Sequence, residues 1–438
     1  MKKTVLPIFG AVWLAFFGLF TSTTALAQYN GYIRCTTMEN DAELRTNNPN
    51  LGTLDDMEQM LAPIIKQKKE GNPNAHIVDG VYIIPVVMHV IHNGEAIGTG
   101  NNISYARIQS QIETLNDDFR RRAGTNGFNT DARGADTKIE FRLAQRKPDG
   151  TGFGAEIGVN RINRNAQGWT APPYNTGYVN ANIKPYTTTT QGYDGSVYMS
   201  FWCVPLSGGI LGYAQFPQTT LSGMDCEAVN MVTDGVVMTT GSVGGQATPG
   251  TSSPYDLGRT ATHEIGHWLG LRHIWGDGDC TEDDFCADTP TARASNGGCP
   301  IGTNSCASSP PDMIENYMDY TTDICMNIFT NDQKIRMRTI LETTRFSLIN
   351  SVAAIPLNPS DAGVLNIITP IGDICSGTVT PSVRVKNYGS TPLTSITIES
   401  RIGTTGAYTL QAFTGLNVPI GGTIDLVLNN ITGIAQGT

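Results

Sequence analysis

The chain has 438 residues, 39% hydrophobic and only 16% charged, with 29 basic residues against 39 acidic ones and a formal charge of −10. That acidity disfavours nucleic acid and anionic membrane as partners, because both attract net positive surfaces. It is compatible with basic polypeptides and with calcium. The length allows more than one domain, and nine cysteines point to an oxidising compartment.

In chain order, Lys2 and Lys3, the apolar run Val5–Phe20 and Ala25-Leu26-Ala27 form a secretory leader over 1–27, so Gln28 is the expected start of the exported chain. A retained anchor is the competing reading, and the A-x-A pattern argues against it. No other segment is apolar enough to cross a bilayer. The expectation is a secreted protein without stable membrane insertion. Removing the leader leaves 27 basic residues against 39 acidic, a charge of −12.

Residues 28–78 are polar, with one helix-like stretch at Leu54–Lys69, and read as a propeptide. Lys66-Gln67-Lys68-Lys69 reads either as an exposed basic run suited to an activating cut or as a solvated helix face. The next domain is expected over 79–355. Tyr82–Ile91 is nearly continuous apolar β-former, a buried strand. Ser104–Arg122 has helical period, with Ile108, Ile112, Leu115 and Phe119 on one face. Lys138–Gln145 and Val197–Val204 read as strands, Leu211–Phe216 as an edge strand beside a cleft, and Gly235–Thr240 as the strand before a helix starting near Asp256. An edge strand of that kind can pair with extended substrate. His89 and His92 match no ligand spacing and read as structural, as does His76.

Residues 263–273 read His-Glu-Ile-Gly-His-Trp-Leu-Gly-Leu-Arg-His, the extended zinc-protease signature. Four-residue spacing on a helix puts His263 and His267 on one face, where both reach one ion. Gly270 can take the left-handed turn that ends the helix and returns His273 as a third ligand. Three imidazoles leave a fourth position open, which marks a catalytic Zn2+ site. Glu264 can take the proton of a zinc-activated water as it attacks a carbonyl, then pass it to the leaving amine. Downstream, Asn316-Tyr317-Met318-Asp319-Tyr320 fits a Met-turn. Met318 would form an apolar floor under the imidazoles, and the Tyr320 hydroxyl would stabilise an oxyanion.

After His273 come Asp277, Asp279, Glu282, Asp283, Asp284 and Asp288. So many carboxylates repel unless a cation screens them, and a Ca2+ site using Asp283, Asp284 and Asp288 is the expectation. A hydrated acidic loop is the alternative. Thr330-Asn331-Asp332-Gln333 is a capping box opening a helix over about 331–350. From 356 to 438 Thr, Ile, Val, Gly and Pro dominate. Thr380–Val385, Thr394–Ile402 and Ile424–Leu428 read as strands of an Ig-like β-sandwich, short for that fold and expected to be incomplete.

His263–His273, Asp288-Thr289-Pro290, Gly298-Cys299-Pro300, Asn316–Tyr320 and Cys325-Met326-Asn327 together resemble the pappalysin family of metzincins, closest to its short ulilysin-like members. The resemblance spans roughly residues 80–350. It implies an α+β chain: a catalytic domain with a twisted, mostly parallel sheet, helices above the cleft and an irregular disulfide-rich lower subdomain, then the β-sandwich. It further implies a zinc endopeptidase with calcium-stabilised loops, made as a latent zymogen inhibited by its own propeptide and acting on proteins or peptides. Cys280–Cys306 and Cys299–Cys325 are the disulfides the family implies; Cys203, Cys226, Cys286 and Cys375 stay unassigned. Thiolate is a strong zinc ligand, so Cys35, within an Arg-Cys pair like that of ulilysin-like proenzymes, is a candidate to fill the open zinc position. A disulfide from Cys35 is the alternative. Relatives favour Arg or Lys after the cut bond, and Asp323 is the carboxylate candidate for that pocket. Two other functions compete: a non-proteolytic surface adhesion protein, and a zinc amidase acting on cell-wall peptides.

Overall fold

The computed structural model describes residues 28–48, 50–70, 80–218, 231–372, 377–403 and 408–434. The leader, His76, Cys226 and Cys375 lie outside them. The N-terminal segment holds a two-residue hairpin, β1 (Gln28–Tyr29) and β2 (Tyr32–Ile33), then α1 (Thr37–Asn47) and α2 (Leu54–Lys69). Helix α1 carries no apolar stripe, which is why its sequence did not announce it. Helix α2 opens on a capping box at Thr53 and Asp56.

The central sheet is built on β3 (Tyr82–His92), β4 (Ile139–Leu143), β5 (Val159–Asn163), β6 (Met199–Val204), β7 (Gly212–Ala214) and β8 (Val236–Thr239). Its order is β4-β3-β6-β8-β7, with β5 also on β3. All pairings are parallel except β7 with β8, which is antiparallel and leaves β7 at the edge. Side chains alternate between two buried faces. Ile84, Val86, Met88 and Val90 of β3 join Phe201, Cys203, Val236, Met238 and Ala214 in one core. Ile91, Trp202, Val204, Val237 and Tyr213 join the other. Burial on both faces explains the unbroken apolar runs.

Helix α3 (Tyr105–Phe119) covers the first face with Ile108, Ile112, Leu115 and Phe119. Beside it lie α5 (Arg259–Trp268), α6 (Asn331–Thr343) and α7 (Phe346–Ile349). The second face is covered by α4 (Thr176–Tyr178), which continues into π-helical turns at Val179–Ile183 and Tyr186–Thr190. The helix expected near Asp256 starts at Arg259. Gly258 has φ +89, and a Cβ there would meet Gly244 O at 2.5 Å, so the helix cannot extend further back. The helix expected over 331–350 is two, broken after Thr343.

Beyond the catalytic-type unit, β9 (Ala362–Thr369), β10 (Gly377–Val379), β11 (Ser382–Asn387), β12 (Leu393–Ser400), β13 (Thr409–Val418), β14 (Thr423–Val427) and β15 (Ile431–Ile434) form three small antiparallel sheets. Val383, Val385, Leu393, Ile398, Val418, Leu426 and Leu428 are the buried residues of their shared core.

One buried charge stands out. Lys184 donates to Thr233 O at 3.1 Å, and its Nζ lies 5.1 and 4.8 Å from the Trp202 and Tyr213 ring centres. Burial pulls its ammonium down to about 7, against the opposing charge of Asp234. For a base depressed by folding, the cost is complete below that value and is relieved as pH rises toward the ordinary lysine range. Lys184→Met should therefore raise Tm at pH 6, with a smaller gain at pH 9. Equal shifts at both pH values, read by calorimetry, would refute this.

Candidate active site

Helix α5 is buried along its whole length. It ends because Gly270 adopts φ +85, where a Cβ would also meet Ile340 Cγ1 at 2.8 Å. That turn brings His273 back to His263 and His267. His267 Nε2 lies 3.1 Å from His263 Nε2 and 3.0 Å from His273 Nε2. The Nδ1 atoms face outward. His263 donates to Tyr317 O at 2.7 Å, His267 to Leu271 O at 2.8 Å, and His273 pairs with the Asp277 carboxylate.

A carbonyl only accepts, so Nδ1 carries the proton and Nε2 presents a lone pair. Three lone pairs aimed at one another repel unless a cation lies between them. Nitrogen ligands at about 2.0–2.1 Å from tetrahedral zinc lie about 3.3–3.4 Å apart, close to the spacing found here. Burial first, and the neighbouring imidazoles second, hold His263 well below its ordinary value and His267 at about 3, so both are neutral donors. The donor set fits zinc.

Cys35 Sγ completes this group. The four ligand atoms all lie within 4.8 Å of one another, and among the described residues no other three His, Cys, Asp or Glu converge in this way. Cys35 is a free thiol rather than a disulfide partner. Burial, then the Glu264 charge, pushes that thiol up; a divalent cation reverses the preference.

Glu264 is buried. Its Oε2 accepts from Thr37 Oγ1 at 2.7 Å and from Cys35 Sγ at 3.4 Å, while Oε1 is buried with no hydrogen-bond partner. Burial raises its carboxyl to about 7. The Tyr320 ring lies 4.9 Å from that of His273 and 5.6 Å from that of His263. Met318 packs under the helix at Gly266, where a Cβ would meet its Sδ at 2.4 Å. Asn316 donates to Gln333 Oε1 and accepts from Gln333 Nε2, both at 3.0 Å, and its Oδ1 accepts from Met318 N at 2.9 Å. Gln333 is the third residue of α6 and half of its capping box. One amide thus caps a helix and holds the Met-turn.

Residues 33–40 run along the edge strand β7. Ile33 N donates to Gly209 O at 2.9 Å, Leu211 N to Ile33 O at 2.9 Å and Thr36 N to Gly212 O at 3.2 Å. Ala214 N donates to Thr37 Oγ1 at 2.8 Å, and Asn40 Nδ2 to Ala214 O at 2.9 Å. The bridge Ile33 to Ile210 is parallel. The preceding Arg34 is buried, with Nη1 2.9 Å from Asp323 Oδ1 and its guanidinium 4.7 Å from the Tyr255 ring centre. The other Asp323 oxygen accepts from Leu257 N at 2.9 Å and Arg259 N at 3.2 Å, at the start of α5.

The three carboxylates expected to hold calcium do not form a convergent group. Asp283 accepts from Phe285 N at 2.8 Å, Asp284 from Cys286 N at 3.0 Å and Thr289 Oγ1 at 2.7 Å, and Asp288 from Asp332 N at 3.0 Å. Cys280–Cys306 and Cys299–Cys325 are bonded, each with Cα atoms 5.7 Å apart. Cys203 and Cys286 are free and buried. The lysine run is not a free basic stretch. Lys66 is exposed, but Lys68 pairs with Glu342, and Lys69 with Asp332 at 2.7 Å.

Sequence reasoning missed Thr37 on Glu264, and Trp275 stacked on His273 at 4.3 Å. It placed Asp277 in the acidic loop, whereas Asp277 orients His273; the four-residue offset between them was the available signal.

A family model described as pregnancy-associated plasma protein-A, peptidase family M43, matches residues 192–342. An extracellular metalloprotease of Verticillium alfalfae is 30% identical over 287 residues, covering 65% of this chain and 86% of the relative. Extracellular metalloprotease 1 of Coccidioides posadasii is 45% identical over 130 residues, but this covers only 30% of this chain and 44% of the relative. Among solved structures, a promirolysin mutant of Tannerella forsythia superposes with a TM-score of 0.55 at 34% identity, covering 73% of this chain and 96% of that one. Mature mirolysin of the same organism with a cleaved peptide gives 0.51 at 37% identity, covering 63% and 97%. The fold and the site define a metzincin metalloendopeptidase. The chain belongs to the pappalysin family and is an extracellular metalloprotease.

Because Asp277 orients His273 and fixes its tautomer, Asp277→Asn should weaken metal affinity about 10–100-fold. Competition with a coloured chelator measures this; unchanged affinity would remove Asp277 from the site.

Proposed function

We propose a zinc endopeptidase made as a latent zymogen, with residues 28–78 as propeptide, 79–355 as catalytic domain and 356–438 as an Ig-like β-sandwich module. The convergence of three imidazole Nε2 atoms beside Glu264 and an edge strand carries this reading. Zinc on His263, His267 and His273 supplies Lewis acidity toward water and the scissile carbonyl. Glu264 accepts the proton of the attacking water and delivers it to the leaving amine, a task suited to a carboxyl held near neutrality by burial. The Tyr320 hydroxyl donates to the oxyanion of the tetrahedral intermediate. Met318 keeps the floor of the site apolar. An extended substrate lies along β7, using the hydrogen bonds that residues 33–40 now occupy.

Latency follows from the same contacts. Cys35, as a thiolate, would supply the fourth ligand. Thr37 occupies one oxygen of the catalytic base. Arg34 fills the pocket over Asp323, which supports a preference for Arg or Lys after the scissile bond. Calcium in the acidic loop belongs to the same proposal, supported by Asp288 Oδ1, which is buried with no hydrogen-bond partner.

Glu264→Ala should cut turnover of a protein substrate about 10²–10⁴-fold with zinc retained, and Tyr320→Phe about 10²–10³-fold. Elemental analysis of the same samples should find calcium beside zinc. An active Glu264→Ala chain would overturn the base assignment. Asp323→Asn should erase the basic preference in a peptide library; an unchanged profile would discard that pocket.

A further inference from the structure

Helix α2 docks on α6. Met57 and Leu61 pack on Ile340 of α6. Between them on the sequence, Glu58 enters a fork of two arginines. Arg336 Nη1 donates to Glu58 Oε2 at 2.7 Å and Arg336 Nη2 to Oε1; Arg272 Nε donates to Oε1 at 3.2 Å. Arg336 is 1% exposed, and its Nε donates to Gly270 O at 2.5 Å. Arg272 Nη2 is buried with no hydrogen-bond partner, 3.6 Å from Asp55 Oδ1. Both guanidiniums flank the Phe285 ring, at 5.3 and 5.7 Å from its centre. A cavity of about 450 Å³ adjoins them, bordered by Glu58, Ile65, Phe285 and Arg336.

We propose that Arg272 and Arg336 form a carboxylate-binding site on the catalytic domain, filled by Glu58 in this chain and open to an acidic ligand once α2 leaves. The second half rests on residues 28–78 being a propeptide. A planar guanidinium that gives two parallel bonds to one carboxylate is specific for that group. Withdrawing Glu58 would strand two buried cations, which costs far more than the pair contributes. Of the neighbouring carboxylates outside α2, Asp284 is engaged by Thr289 and Cys286 N, and Asp283, which borders the cavity, by Phe285 N. The fork therefore calls for a carboxylate from outside. Because Arg336 also holds Gly270 O, the site borders the turn that delivers His273.

The test uses the full chain. Glu58→Ala leaves a carboxylate-sized gap, and hydrogen exchange of the Leu54–Lys69 amides should accelerate tenfold or more. Acetate should restore protection with a saturating dependence, whereas chloride at equal ionic strength should not. Adding Arg336→Lys should raise the acetate midpoint severalfold. Equal effects of acetate and chloride would overturn the site. If Glu58→Ala does not fold, Glu58→Gln keeps the shape without the charge and should still accelerate exchange; unchanged exchange would overturn the proposal. Zinc is measured in the same samples. A zinc-loaded chain that ignores acetate sinks the carboxylate site alone, while the hydrolase reading depends on the Glu264 variant.

Discussion

Three imidazoles converging through Nε2, with His267 about 3 Å from both His263 and His273, are the constraint around which this molecule is arranged. Nothing within the triad neutralises the mutual repulsion of these donor atoms, so the surrounding structure must enforce the convergence. Two backbone carbonyls and the Asp277 carboxylate fix the rings from outside. Gly270 supplies the left-handed turn, and Met318 fills the space under Gly266. The Met-turn is held in place by Asn316 on Gln333, so the capping of α6 and the geometry of the metal site share one side chain.

The N-terminal segment meets this centre twice. In the cleft, Arg34, Cys35 and Thr37 engage Asp323, the imidazole group and Glu264. Through a second attachment, α2 neutralises Arg272 and Arg336 and pairs Lys68 and Lys69 with α6. Both attachments border the turn carrying His273, one through the ligand atoms and one through Gly270 O. The cleft contacts form along β7, the edge strand beside the imidazoles, so the segment uses a hydrogen-bonding edge that an extended peptide could also use.

Much of this was readable in advance because it depends on local chemistry. Helical spacing placed His263 and His267 together, and the missing Cβ of Gly270 signalled the turn to His273. Continuous apolar runs revealed β3 and β6, and the capping box at Thr330 and Gln333 marked α6. Other elements left no local trace. Helix α1 lacks an apolar stripe, and β5 is a polar strand recruited by its register against β3. Strands β9 and β13 are largely exposed and show no clean alternation. The acidic loop looked uniform along the chain, yet Asp277 belongs to the imidazole triad, while the carboxylates beyond it bond to nearby backbone and hydroxyl groups.

By itself, the sequence announced the three converging histidines, the glutamate beside them and the family, because these depend on residue type at short, fixed offsets. The tertiary structure alone decided that Cys35 reaches the ligand group across more than 200 residues. It also decided that Arg34 pairs with Asp323, and that Glu58 sits between two arginines. Those contacts depend on chain paths that cross the molecule, and no offset within the sequence encodes a distance of that kind.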